Sequence, residues 1–103
     1  MTRRHQVIVA PRAVAQLDRI AEWWAVNRPE VPDLFAEEFA AALTRLRTNP
    51  GAGAPYRVGP HPEVRRLLLP RTRYHVYYLS ADAVDRVVVL AVWHTARGGK
   101  PVL

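Results

Sequence analysis

Chemistry in this chain has few residue types to draw on: four histidines, fourteen arginines, one lysine (Lys100) and no cysteine. The absence of cysteine excludes a disulfide scaffold and a thiolate metal site. His75 and His94 both sit in strand-like runs, and an imidazole titrates near neutrality, which suits proton transfer. The arginines carry planar, permanently charged forks that suit carboxylate and phosphate alike. Each type also has a plainer reading, as a packed or surface histidine or a solvated arginine. His5 and His61 have no partner at metal-ligand spacing, so neither a metal nor any other cofactor is expected.

These side chains need elements to hold them. Gln6–Ala10 is a short β-branched run and reads as a strand. Pro11 then opens a helical pattern, because its missing N–H is not needed in a first turn. Ala13, Leu17, Ile20 and Trp24 recur at helical spacing, giving a helix over Pro11–Val26 that Asn27-Arg28-Pro29 ends. Phe35, Phe39, Leu43 and Leu46 form the apolar stripe of a second helix over Pro32–Thr48. The short gap between the two predicts an antiparallel helical hairpin. Residues 51–62 read as loop. Three strands follow over Val64–Leu69, Arg73–Leu79 and Arg86–His94, with Pro70-Arg71-Thr72 and Ala81–Asp85 as turns. Residues 98–103 read as an irregular tail.

The order β-α-α-β-β-β predicts an α+β fold of two layers, with the helical hairpin packed on one face of a mainly antiparallel sheet. One domain over residues 1–103 is expected at this length. Arg65 and Arg66 are adjacent on a strand and must point to opposite faces. Trp23 and Trp24 cannot both face the core; Trp24 continues the stripe, which leaves Trp23 as an exposed aromatic suited to a partner interface. Tyr74, Val76 and Tyr78 share one face of the middle strand, and His75, Tyr77 and Leu79 the other. Both sets are partly apolar, so alternation does not say which meets the helices.

Charge narrows the partners. The net charge is +6; residues 1–50 hold seven basic and six acidic side chains, and residues 51–103 eight and three. A basic half-domain suits a polyanion, either nucleic acid or an acidic protein segment. Half the residues are hydrophobic, which disfavours disorder. No apolar run approaches the roughly 20 residues of a membrane span, so no membrane partner and a cytoplasmic location are expected. The apolar stretch Val7–Ala10 is too short for a signal peptide.

The element order, together with Pro11-Arg12-Ala13, Trp23-Trp24, Asn49-Pro50, Val64–Leu69 leading to Tyr74-His75-Val76-Tyr77-Tyr78, and Val87 through Trp93-His94-Thr95-Ala96-Arg97, resembles the RelE/ParE toxins of bacterial type II toxin–antitoxin systems. The resemblance covers nearly the whole chain and rests on order and spacing together. It implies that the first strand lies beside the last. It further implies that a cognate antitoxin binds the toxin's groove and basic face in a hetero-oligomer.

Two activities occur among such relatives: ribosome-dependent mRNA cleavage in RelE-like members, and inhibition of DNA gyrase in ParE-like ones. RelE-like members place two lysines or similar groups on the strand matching Val64–Leu69. They add an arginine just after the tyrosine matching Tyr74, another after the last strand, and a tyrosine in the C-terminal segment. Here Arg66 matches the first lysine, Leu68 occupies the second position, His75 stands in for the arginine, Arg97 matches the later one approximately, and no tyrosine lies beyond Tyr78. The ending Trp93 to Gly99 is more ParE-like. The resemblance therefore implies a growth-inhibiting toxin that binds and poisons gyrase and is not itself an enzyme. Arg65, Arg66, Arg73, His75, His94, Arg97 and Trp23 are the candidate target- or antitoxin-binding residues. The alternatives are an mRNA endonuclease acting on the ribosome, in which Arg66, His75, His94 and Arg97 would have to replace the usual catalytic set, and a non-toxic relative serving as co-repressor with its antitoxin.

Overall fold

A computed structural model describes residues 4–56, 63–81 and 85–103. Seven elements follow one another: β1 (Gln6–Val9), α1 (Pro11–Asn27), α2 (Leu34–Thr48), β2 (Ala54–Pro55), β3 (Val64–Leu69), β4 (Tyr74–Ala81) and β5 (Arg86–His94). The strands form one sheet in the order β1-β5-β4-β3-β2. β1 runs parallel to β5, and every other pair is antiparallel. The α+β class, the helical hairpin on one sheet face and the first strand beside the last all match the expectation.

The helices bury one stripe each. Ala13 and Trp24 are buried on α1; Phe35, Phe39, Ala42 and Leu46 on α2. They meet Leu67, Leu69, Tyr74, Val76, Tyr78, Val87, Val89 and Val92 in one cluster. Alternation along β4 is thereby settled: Tyr74, Val76 and Tyr78 face the helices, and His75 and Tyr77 face away. Burying a side chain of Leu or Phe size in such a cluster contributes about 1.5–3 kcal/mol. Trp24 is core and Trp23 is 46% exposed, as the stripe required.

Boundaries moved where backbone geometry overrides pattern. α2 begins at Leu34 rather than Pro32, because Leu34 N–H donates to the Val31 carbonyl in a tight turn (3.2 Å). β4 begins at Tyr74 rather than Arg73, because Arg73 has φ +66 and closes the β3–β4 turn. A left-handed residue cannot continue an extended strand. Within the segment read as loop, Ala54–Pro55 pairs with Arg66 and Arg65 as a two-residue edge strand. Proline is tolerated there because an edge strand need not donate on its outer side. The second half of that segment, residues 57–62 with His61 among them, lies outside the described residues.

A bulge decides which side the end of β5 faces. Tyr77 pairs with Ala91 and Tyr78 with Val89, so Leu90 is an extra residue. Before it, Val87 and Val89 face the helices; after it, Val92 and His94 do. Without the bulge Trp93 would lie under the helices and His94 on the outer face. Past the end of β1, the Gln16 side chain of α1 accepts the Val92 N–H (2.8 Å), which occupies an otherwise open strand edge. Among the described residues no helix is long and apolar enough to cross a membrane.

Candidate binding face

Arg66, His75 and Arg97 come together on the outer sheet face, and His94 reaches the same cavity from the sheet's end. Arg66 of β3 is paired with Tyr77 of β4, and His75 with Trp93 of β5. Arg97 follows β5, and its guanidinium carbon sits 3.7 Å from the Trp93 ring centroid. The Arg66 guanidinium lies 5.1 Å from the Tyr56 ring centroid. Tyr56 in turn meets Tyr77 edge-on at 5.0 Å, and His75 lies 6.1 Å from Tyr77. A cavity of about 220 Å³ opens here, bordered by Tyr56, Arg66, His75, Tyr77, Trp93, His94 and Arg97 together with Thr95, Gly99 and Lys100.

The face is electropositive. Its bordering residues include two arginines and one lysine but no carboxylate. His75 feels this field. Partial burial is the main cause that pushes its pKa below the ordinary value of 6.5, and the charges of Arg66 and Arg73 lower it further. The imidazole is therefore neutral at pH 7, when one ring nitrogen donates and the other accepts. Arg73, exposed in the β3–β4 turn, adds to the same field.

The tail helps to build the face. Pro101 is buried, and Arg12 of α1 donates through Nη1 to the Val102 carbonyl at 2.9 Å. This return to α1 carries Gly99 and Lys100 along the cavity border.

His94 borders hollows on both sides of the sheet. Its ring lies on the helix side of the sheet, edge-on to Tyr74 with centroids 4.8 Å apart. Its Nδ1 accepts the Ala96 N–H (3.0 Å), which places the proton of the neutral ring on Nε2. There it borders a groove with Gln16, Arg19, Ile20, Trp23, Tyr74, Val92 and Arg97. Trp23 and His94 also border the adjoining hollow with Arg28, Arg71 and Thr72. Trp23 carries the Arg28 guanidinium at 5.7 Å. His94 borders the outer cavity as well, as a strand residue at the sheet's end.

Arg65 takes a structural post. It points away from the outer face, as its adjacency to Arg66 required, and its Nη1 donates to the Gly53 carbonyl at 2.8 Å. Sequence reasoning missed Tyr56, Tyr77, Trp93 and Lys100 as members of the outer face. The pairing of β3 with β4 would have found Tyr77. Trp93 was hidden by the bulge, and Tyr56 by its place in an apparent loop. Among the described residues no three His, Asp or Glu side chains gather as metal ligands.

With this geometry in place, the chain compares with known proteins as follows. The family model of the ParE toxin of the type II toxin–antitoxin system parDE matches residues 7–98. Among solved structures, the chain is similar to the chromosomal ParDE toxin–antitoxin system from P. aeruginosa, at 23% identity and a TM-score of 0.72, covering 88% of this chain and 96% of that one. It is also similar to the RelBE2 toxin–antitoxin complex from Mycobacterium tuberculosis, at 21% identity and a TM-score of 0.56, covering 88% and 98%. A double arginine-to-alanine mutant of E. coli RelE in the free state gives 16% identity and a TM-score of 0.58, covering 90% and 85%. These structural likenesses concern the fold. No curated protein sequence matches.

Proposed function

The chain belongs to the ParE toxin family of type II toxin–antitoxin systems, and on that premise we propose that it arrests growth by binding and poisoning DNA gyrase. The outer sheet face is the target-binding surface, with Arg66, His75 and Arg97 at its centre. A cognate antitoxin neutralises the toxin in a hetero-oligomer, and Trp23 and His94 in the helix-side groove are available to it. Both proteins work in the cytoplasm.

The observation that carries this reading is the chemistry of the outer face. It offers fixed cations and aromatic rings, which recognise a partner. Among the described residues bordering the cavity are two imidazoles, His75 and His94, and no carboxylate. The two rings point to opposite sides of the sheet, with His94 edge-on to Tyr74 and its Nδ1 taken by the Ala96 N–H, which weighs against their acting as the acid and base of strand cleavage. Such a surface supports recognition rather than catalysis.

One observation favours a second reading, ribosome-dependent mRNA cleavage: Arg66, His75, His94 and Arg97 all border one cavity. Induced expression without antitoxin separates the two. Under the gyrase reading, growth stops while messenger RNA shows no codon-phased cuts. The R66A/R97A double variant, checked for an unchanged melting temperature, restores growth. Codon-phased cuts would transfer the chain to the second reading. Vigorous growth of cells expressing the unaltered protein would overturn both and leave a co-repressor role.

A further inference from the structure

The outer face has more than charge. Its two cation–ring pairs, Arg66 on Tyr56, both half-buried, and the exposed Arg97 on the half-buried Trp93, are built from β3, β5 and the segments after β2 and β5. A guanidinium lying 3.7 Å above an indole is nearly at stacking distance. The guanidinium covers the ring and offers a cationic surface of its own on the outer side. Arg97 is exposed, so that outer side is open. Nucleobases stack on guanidinium planes as well as on rings, and every base has a π-face to offer.

The surroundings suit one kind of ligand. The cavity border holds Arg66, Arg97 and Lys100 without a carboxylate, and Arg73 and Arg66 both act on His75. A phosphate chain is the complement of such a border. Leu68, paired with His75 and 37% exposed, adds apolar surface beside the rings. An acidic peptide would satisfy the cations, but it has no use for stacking platforms set between them. Duplex DNA would offer phosphates, yet its bases are already stacked on each other. An unpaired strand uses both features.

We propose that the outer sheet face binds an unpaired DNA strand, with bases stacking on the Arg66–Tyr56 and Arg97–Trp93 pairs and phosphates meeting Arg73 and Lys100. This deepens and rests on the gyrase reading. The toxin's contact with a gyrase–DNA complex then includes the DNA that the enzyme opens, in addition to any protein surface.

The test is fluorescence anisotropy of labelled fifteen-nucleotide probes with the purified full chain. The probes are oligo-dT, an abasic strand of equal length and charge, the matching duplex, and oligo-rU. Oligo-dT is expected to bind at least ~10-fold more tightly than the abasic strand, since base–aromatic stacking is worth about 1–3 kcal/mol per base. The duplex is expected to bind more weakly than oligo-dT. R66A/R97A is expected to lose at least ~10-fold in affinity for oligo-dT. R45A/R47A removes the same charge from α2, on the other side of the sheet, and stays within ~3-fold, because only the shared electrostatic contribution changes.

Equal affinity for the abasic strand and oligo-dT would overturn the proposal and reduce the face to a charge patch. So would equal losses in the two double variants. Much tighter binding of oligo-rU than of oligo-dT would also overturn it, in favour of an RNA surface. Because this assay contains no gyrase, its failure is separate from that of the proposed function. A protein that poisons gyrase yet fails here keeps its target and loses only the DNA contact.

Discussion

Gly53→Ala is expected to lower the unfolding free energy by about 3 kcal/mol and the melting temperature by roughly 12–20 °C. A β-carbon at Gly53 would stand 2.8 Å from Tyr78 Oη, 2.9 Å from Tyr78 Cε1 and 2.9 Å from the Arg66 carbonyl oxygen. None of these can give way cheaply. Tyr78 is fully buried in the core, and the Arg66 carbonyl is strand backbone. Two hydrogen bonds depend on the same close approach: Gly53 N–H donates to Tyr78 Oη (2.8 Å), and that hydroxyl donates to the Pro50 carbonyl (2.7 Å). Burial raises the Tyr78 pKa above 10.0, so the hydroxyl keeps its proton at ordinary pH. Tyr78→Phe leaves the packing and removes only the hydroxyl, and should cost about half as much, roughly 1.5 kcal/mol. Thermal unfolding followed by circular dichroism measures both. A Gly53→Ala protein melting within about 2 °C of the parent would mean that the loop stands off from β3 and β4. The effect reaches function, since the same stretch pairs Ala54 with Arg66 and leads into Tyr56.

The second large effect is expected at Glu38. Its carboxylate, on α2, accepts three hydrogen bonds from the β3–β4 turn: Arg71 N–H (2.7 Å), Thr72 N–H (2.9 Å) and the Thr72 hydroxyl (2.6 Å). Thr72 is 4% exposed. Removing the acceptor leaves the exposed Arg71 N–H to water but strands the two sheltered Thr72 donors, where a bond to a charged group is worth about 1.5–3 kcal/mol and an unmade one costs as much. Glu38→Ala should therefore destabilise by about 2–3 kcal/mol in urea unfolding. Glu38→Gln keeps one oxygen but turns an amide N–H against one of the backbone donors, and should fall near half that value. A loss below about 0.5 kcal/mol for Glu38→Ala would show that the turn is held by the sheet alone. The turn carries Arg73, whose carbonyl accepts the Thr95 N–H (2.9 Å), so Glu38 also steadies the start of the segment that bears Arg97.

Much of the fold was legible because periodicity records burial directly. The stripes through Trp24 and through Phe35, Phe39 and Leu46 identified both helices and their inner faces. Val64–Leu69 and Arg86–His94 were readable as strands from their β-branched and apolar content, with the bounds the structure has. What stayed hidden depended on pairing. Ala54–Pro55 has no strand pattern and exists only because β3 offers an edge to it. The two faces of β4 looked alike because Tyr77, turned away from the helices, is still buried, beside Tyr56 and Arg66.

The candidate site was half legible for the same reason. Arg66, His75 and Arg97 could be named from residue type and position. His94 could be named from residue type too, but its side of the sheet could not: one extra residue at Leu90 turns it to the helix side while bringing Trp93 to the outer side. A bulge is a property of two strands in register, and a single strand's alternation carries no sign of it.

The most direct test of the central claim is gyrase supercoiling of relaxed plasmid with added purified protein, scoring both lost supercoiling and trapped linear DNA. The account predicts inhibition with linear product for the unaltered chain, and at least ~10-fold more protein needed for the R66A/R97A variant, as expected when charged contacts at a target face are removed. Full supercoiling at high excess of folded protein, with gyrase shown to be active, would contradict it.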